Sequence, residues 1–242
     1  MKHWSLWFVV LDEFKGMLNI LFPKYCPGCG CVLDQPQVLL CLTCRNTLPL
    51  TQYHRHNNQR IVEKFYGILP LERGTALLHY HKKGLAQKLI HALKYRGNKD
   101  LGRWLGNWLG LELKAIESYR GIAAVVPVPM HPKKLRQRGY NQAAIFGQAL
   151  AQAMEVPLME KLLIQTEVHR TQAKQGRWER WAKKNTFALS PHSHCLNHEL
   201  GSKMNLLLVD DVITTGATIE ACGRILVKEL GASLSCASIA IA

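Results

Sequence analysis

The chain has 242 residues, 48% of them hydrophobic and 20% charged, which is enough for one substantial core plus a small module and excludes a disordered chain. Lysine and arginine number 31 against 17 acids, for a formal net charge of +14, and this balance points to polyanionic partners. The apolar run near the start, residues 4–11, gives way to Asp12 and Glu13. It is too short to span a bilayer and poorly flanked for a cleaved signal, so the expectation is a leading amphipathic helix over residues 1–20, no membrane span and a cytoplasmic location.

Next come two Cys-x2-Cys pairs, Cys26 with Cys29 and Cys41 with Cys44, separated by eleven residues. Each pair turns two thiolates to one side of a tight knuckle, and two knuckles complete a tetrahedral zinc site. Metal would supply the stability that so short a segment cannot draw from buried apolar surface. Disulfides are the alternative, and the lack of a secretion signal favours zinc. Cys31 is a spare thiol that could replace Cys29. The expected unit is a four-cysteine zinc-binding module with its linker over residues 21–60, because residues 53–60 show no core pattern. Cys222 and Cys236 sit in apolar patterns and read as buried, whereas Cys195, among His192, His194 and His198, reads as part of an exposed loop.

A larger domain follows over residues 61–242. Residues 75–80 read as a strand. Leu85, Leu89, Ala92 and Leu93 then recur at helical spacing, with Lys88, His91 and Lys94 as a basic opposite face. Leu101, Trp104, Leu105, Trp108 and Leu109 mark a second helix and place both tryptophans in the core. Residues 123–126 form a short apolar strand that ends at Pro127-Val128-Pro129. Residues 131–140 read as a basic loop at that strand's carboxyl end, where Lys134, Arg136 and Arg138 are placed to hold a diphosphate. A helix covers residues 141–154. Residues 170–184 carry a second basic stretch with Trp178 and Trp181, suited to a mobile lid over a diphosphate or to a nucleic-acid strand.

Leu206, Leu207, Leu208 and Val209 have the continuous apolar pattern of a strand covered on both faces in a parallel sheet, and this strand ends in Asp210 and Asp211. Thr214, Thr215, Gly216, Ala217 and Thr218 precede an amphipathic helix over residues 219–230, so the loop offers backbone N–H groups and three hydroxyls to a phosphate. The two carboxylates cannot serve that same anion. They suit a neutral polyol or a metal ion, and a phosphorylated sugar satisfies both halves. A last strand covers residues 234–241.

The stretch from Leu206 to Thr218 resembles the phosphoribosyl diphosphate (PRPP) signature of type I phosphoribosyltransferases at every signature position. By that resemblance Asp210 and Asp211 bind ribose hydroxyls, and Thr214, Thr215, Gly216, Ala217 and Thr218 wrap the 5-phosphate. Taken with the cysteine pairs, Leu93-Lys94-Tyr95-Arg96-Gly97-Asn98, Val126-Pro127-Val128-Pro129 and Arg138-Gly139-Tyr140-Asn141-Gln142-Ala143, nearly the whole chain resembles the ComF family of competence-associated, phosphoribosyltransferase-like proteins, which includes the GntX type of DNA-utilisation proteins. The resemblance implies an α/β fold: a type I phosphoribosyltransferase domain with a parallel central sheet, joined to the zinc module. It implies DNA uptake or utilisation, a PRPP-type ligand with Mg²⁺, structural Zn²⁺, single-stranded DNA as a partner and a competence helicase alongside. One alternative is an active Mg-dependent phosphoribosyltransferase acting on a nucleobase or amine, with Arg138, Asp210 and Asp211 as its catalytic residues. A second is a PRPP-sensing regulatory protein that binds a partner through the cysteine module. Thr171, Gln172, Arg180, Asn185 and Phe187 only loosely keep the family's spacing, and no acceptor pocket is identifiable from the sequence.

Overall fold

A computed structural model describes residues 23–35, 37–56, 58–166, 186–191 and 204–242. The leading helix expected over residues 1–20, the basic stretch of residues 170–184 and the histidine-containing segment of residues 192–198 lie outside the described residues. In chain order the elements are α1 (Leu42–Asn46), α2 (Arg60–Glu63), β1 (Arg73–His79), α3 (Leu85–Tyr95), α4 (Lys99–Lys114), β2 (Ala124–Pro127), α5 (Pro132–Arg138), α6 (Gln142–Met154), β3 (Leu163–Thr166), β4 (Thr186–Leu189), β5 (Asn205–Ile213), α7 (Ala217–Leu230) and β6 (Ser233–Ile241).

β1, β6, β5 and β2, in that spatial order, make a parallel sheet, and β3 pairs with β4 as a separate antiparallel hairpin. The apolar run of β5 is explained by this position, since Leu206, Leu207, Leu208 and Val209 are all fully buried. Side chains alternate between the faces of a strand. Leu207 and Val209 therefore join a core with Leu89, Leu93, Leu105, Phe146 and Leu150, while Leu206 and Leu208 join another with Phe65, Ile219, Cys222 and Leu226. Helices α3, α4 and α6 thus cover one face and α7 covers the other. The helices that follow the neighbouring strands β2 and β5 leave on opposite faces, which opens a crevice between them at the strands' carboxyl ends.

Leu101, Leu105, Leu109 and Leu113 of α4 are fully buried, and Trp104 and Trp108 pack against the same core with their rings edge-on at 5.2 Å. The leucine and tryptophan spacing does not reveal how closely α4 meets α6. A Cβ at Gly110 would lie 2.7 Å from the Cβ of Ala153, so a small residue is required where the two helices touch.

The cysteine-bearing segment docks on this first face, with Cys26, Leu40, Cys44 and Leu48 in the same core as Leu89 and Leu93. Residues 53–60, expected to be a linker, are packed at their start: Tyr53 and His54 are buried. The Thr51 N–H donates to the Leu77 carbonyl at 3.0 Å. His54 lies between Thr75 Oγ1, at 3.1 Å, and Glu112 Oε2, at 2.6 Å, and Trp108 Nε1 donates to Glu112 Oε1 at 3.1 Å. Burial holds the imidazole below its ordinary pKa against the opposing pull of Glu112. A satisfied polar network leaves no hydrophobic period in the sequence, which is why this segment resembles a linker. Among the described residues no helix is long and apolar enough to cross a membrane.

Candidate functional site

The crevice is built first from β5. The strand does not end at its acidic pair; it continues to Ile213, with Asp210 opposite Ser238 and Val212 opposite Ala240 of β6. The two carboxylates consequently leave on opposite faces. Asp211 points to the α3 side, where Lys94 Nζ lies 2.8 Å from its Oδ2. Asp210 faces α7, where its charge reaches the buried Cys222 thiol. Removal from water and the neighbouring Asp211 charge push the Asp210 carboxyl up to about 7, against the Asp211 backbone N–H that donates to it at 2.7 Å and against Lys94. Burial and the like charge therefore favour the neutral carboxyl well above the pH at which an ordinary aspartate ionises.

After β5 the chain turns through exposed Thr214 and Thr215 to Gly216, which is buried and left-handed at φ 87°. That geometry is reserved for glycine for a second reason, since a Cβ here would lie 2.7 Å from Phe65 Cζ. Helix α7 then starts at Ala217, and its first N–H groups have no partner within the helix. These N–H groups, with the Thr214 and Thr218 hydroxyls, are what this end of the crevice can offer an anion.

The opposite wall follows β2. Residues 132–138, expected as a basic loop, form α5: Pro132 stands at its first turn, His131 Nδ1 accepts from the Lys133 N–H at 3.2 Å, and Gly139 ends it at φ 77°. Proline at the start and glycine just past the end are the punctuation of a helix. The helical period selects among the basic residues. Lys134 and Arg138, four apart, line the crevice, whereas Arg136 is exposed and does not line it. Arg138 is held by Gln142 Oε1 at 3.2 Å and by the Tyr95 hydroxyl at 3.4 Å, with its guanidinium 5.1 Å from the Tyr95 ring centroid. The Tyr140 hydroxyl donates to the Leu93 carbonyl, and Asn141 donates to the Val128 carbonyl at 2.9 Å while capping α6 through the Ala143 N–H at 3.0 Å. The Arg-Gly-Tyr-Asn element is thus largely a clasp that ties α5 to α3 and to the end of β2, and it fixes Arg138 at the rim.

The resulting cleft has a volume of about 310 Å³ and brings Asp210, Asp211, Thr214 and Thr218 together with Lys134 and Arg138. Thr215, Gly216 and Ala217 build the loop without lining the cleft. Among the lining residues not singled out as site residues from the sequence are Lys94 on α3, and Gln165 and Phe187 on the β3–β4 hairpin. Lys94 carried a signal in its place before Tyr95-Arg96-Gly97. Phe187 carried only its loose place in the family's spacing, and Gln165 carried none, because the two pair across a long insertion.

A second cluster lies in the front segment. The sulfurs of Cys26, Cys29, Cys31 and Cys41 are all within 4.8 Å of one another, and Cys29 and Cys41 are 3.6 Å apart. Sulfurs about 2.3 Å from a tetrahedral zinc would be about 3.8 Å apart, so the spacing fits a metal ion. The buried Cys44 thiol stands against Cys29, Cys41 and Cys26, and its N–H donates to Cys41 Sγ at 3.4 Å. A fifth thiol, that of Cys44, therefore stands beside the four. Burial raises the Cys26 thiol, but the backbone N–H groups of Cys41, Cys29 and Gly28 outweigh it and hold the pKa below its ordinary value. The Cys31 backbone N–H leads in bringing Cys29 down to about 6. A four-cysteine cluster of this kind can bind a metal ion.

No protein-family model matches the chain. Competence protein F of Haemophilus influenzae is 28% identical over 146 residues, covering 58% of this chain and 61% of that protein. The DNA utilization protein YhgH of Escherichia coli O157:H7 is 26% identical over 151 residues, covering 60% and 63%. Competence protein ComFC of Bacillus subtilis is 29% identical over 105 residues, covering 43% and 38%. The chain thus spans about three fifths of the length of the first two relatives and under two fifths of the third. Solved structures with some likeness include an adenine phosphoribosyltransferase, 20% identical, covering 66% of this chain and 71% of that one at a TM-score of 0.34. Another is the B. subtilis glutamine PRPP amidotransferase, 19% identical, covering 62% and 30% at a TM-score of 0.39. By sequence this chain is a homologue, at modest identity, of the proteins named Competence protein F, ComFC and YhgH.

Proposed function

We propose that this chain acts in DNA uptake or utilisation and that its cleft binds PRPP or a related phosphosugar. The observation that carries the ligand is the meeting, in one cleft at the carboxyl ends of β2 and β5, of an acidic pair, a hydroxyl-bearing helix start and two cations on α5. The 5-phosphate takes the N–H groups and hydroxyls from Thr214 to Thr218. Asp210 and Asp211 accept from the ribose hydroxyls, and Lys134 and Arg138 hold the diphosphate. Mg²⁺ enters with the diphosphate and neutralises its charge. The resident metal of the front cluster is zinc, bound by Cys26, Cys29, Cys41 and Cys44, the set in which each pair has N–H groups donating to its first sulfur. Single-stranded DNA is the polyanionic partner that the excess of 31 basic over 17 acidic residues suits, with a competence helicase as the protein alongside. Calorimetric titration with PRPP and Mg²⁺ tests the ligand: binding heat in the wild type should vanish in Asp210→Asn/Asp211→Asn. Unchanged heat in that variant refutes the site. Titration with a labelled oligonucleotide at two salt concentrations tests the partner, because phosphate contacts require affinity to fall steeply with salt.

A second reading, an active phosphoribosyltransferase, is favoured by one further feature of the cleft. It extends past the acidic pair to Gln165 and Phe187, which leaves a place for an acceptor beside the sugar.

A further inference from the structure

The cysteine cluster holds one sulfur more than a tetrahedral metal can use. With Cys26, Cys29, Cys41 and Cys44 as ligands the thiol left over is Cys31, and the backbone gives it a particular partner. Tyr25 and Val32 form an antiparallel bridge, and the next pair along is Cys26 and Cys31, joined by the Cys26 N–H that donates to the Cys31 carbonyl at 2.8 Å. Residues directly opposite at a hydrogen-bonded position have Cα atoms about 5.5 Å apart, inside the roughly 4.4–6.8 Å that a disulfide spans. The two sulfurs already lie within 4.8 Å of each other, so closure asks for side-chain rotation on a backbone that is in register. Access divides the pair: Cys31 is exposed, whereas Cys26 is buried in a core with Leu40, Cys44 and Leu89.

We infer that Cys31 is the oxidant-accepting site of a thiol switch, which closes a Cys26–Cys31 disulfide and so takes one ligand from the metal. The inference rests on the zinc reading of the cluster, with Cys26, Cys29, Cys41 and Cys44 as ligands. Its co-reactant is a peroxide. The exposed Cys31 sulfur attacks one peroxide oxygen, the O–O bond breaks, and Cys31 becomes a sulfenic acid as water leaves. Cys26, a thiolate because metal ligation requires one, then attacks that sulfur; the S–S bond forms and hydroxide departs. One thiol, one thiolate and one hydrogen peroxide thus yield a disulfide, a water and a hydroxide, and the two electrons lost by sulfur end on the peroxide oxygens. Three sulfurs remain, one short of the closed set that a structural zinc needs. With a partner thiol opposite, the sulfenic acid condenses to a disulfide, which a reductant reverses, before it can reach the irreversible sulfinic acid.

The test treats the full, zinc-loaded chain with hydrogen peroxide, comparing wild type with Cys31→Ser and Cys31→Ala. Zinc release is followed with a colorimetric chelator, and thiols are tagged before and after reduction with two different alkylating reagents that mass spectrometry distinguishes. Wild type should release zinc in step with the loss of two thiols, carry the second tag on Cys26 and Cys31, and regain its metal when dithiothreitol and zinc are added. Both variants should hold zinc before treatment and release it at least tenfold more slowly. No release from wild type, equal release from all three proteins, or the second tag on another pair overturns the switch and leaves the zinc site standing. Loss of zinc from both variants before treatment makes Cys31 a ligand and overturns the switch. A wild type that takes up no zinc overturns the metal reading and the switch with it.

Discussion

Lys94 Nζ and Asp211 Oδ2 meet at 2.8 Å, joining the end of α3 to the middle of the acidic pair, with both side chains largely shielded from water. Without this cation, offsetting the adjacent carboxylates against an incoming anion would be left to Lys134 and Arg138 on the opposite wall. Lys94→Ala should therefore weaken ribose 5-phosphate binding roughly ten- to hundredfold, as expected for a charged hydrogen bond worth about 1.5–3 kcal/mol. Calorimetry on the two proteins decides it. Equal or tighter binding by the variant would make the ion pair a competitor of the sugar instead of a support.

Asp210 sets the pH dependence. Ribose hydroxyls donate more strongly to a carboxylate than to the protonated acid, so binding should strengthen as pH rises through about 7, where this group titrates. Below that value the loss is at most about tenfold per pH unit. The ligand's own phosphate titrates near pKa 6, so the comparison that counts is the slope in Asp210→Asn, which should be flatter. Stability runs in the opposite sense. Between the ordinary carboxyl value of 3.8 and about 7 the folded chain keeps a proton that the unfolded chain has lost, so this group makes the fold less stable as pH rises through that window. Thermal melts should show Asp210→Asn unchanged near pH 4 and more stable than wild type at pH 8.

Gly216 couples the threonine loop to the second core. Gly216→Ala should destabilise the protein by about 1–2 kcal/mol from the left-handed backbone alone, with an added penalty because the new methyl group meets Phe65. Phe65→Leu in the same chain should relieve the second contribution and leave the first. Urea unfolding of the single and double variants separates them, and full recovery in the double variant would show that the backbone angle carries no cost.

The parts of this architecture with a local signature were legible in the sequence. The β5 apolar run, the acidic pair and the threonine loop are contiguous, and their chemistry follows from the order of the residues. The cysteine pairs are equally local. What escaped was set by tertiary placement. Whether residues 131–140 form a loop or a helix turned on Pro132 and Gly139, which punctuate the segment more strongly than its charges do. Arg136 was grouped with Lys134 and Arg138 because composition does not register the helical period that separates them. The buried contact of His54 with Glu112 joins residues far apart in sequence, and no periodicity announces it. Phe187 and Gln165 are a register pair that only the folded hairpin brings together.

The cysteine cluster yields the sharpest discrimination. Five thiols lie in this cluster, and a tetrahedral zinc takes four. With Cys26, Cys29, Cys41 and Cys44 as ligands, Cys44→Ser should lose the metal and Cys31→Ser should keep it, measured as zinc per chain after dialysis. The mutual closeness of Cys26, Cys29, Cys31 and Cys41 makes the reverse outcome, loss only in Cys31→Ser, the result that would reassign the fourth ligand. Chelation of the wild type should also loosen the first face of the sheet, because Cys26 and Cys44 share a core with Leu89 and Leu93 of α3. Hydrogen exchange should then accelerate in α3 and leave α7, on the other face, protected. Equal protection of α3 with and without metal would mean that the module folds by apolar packing alone.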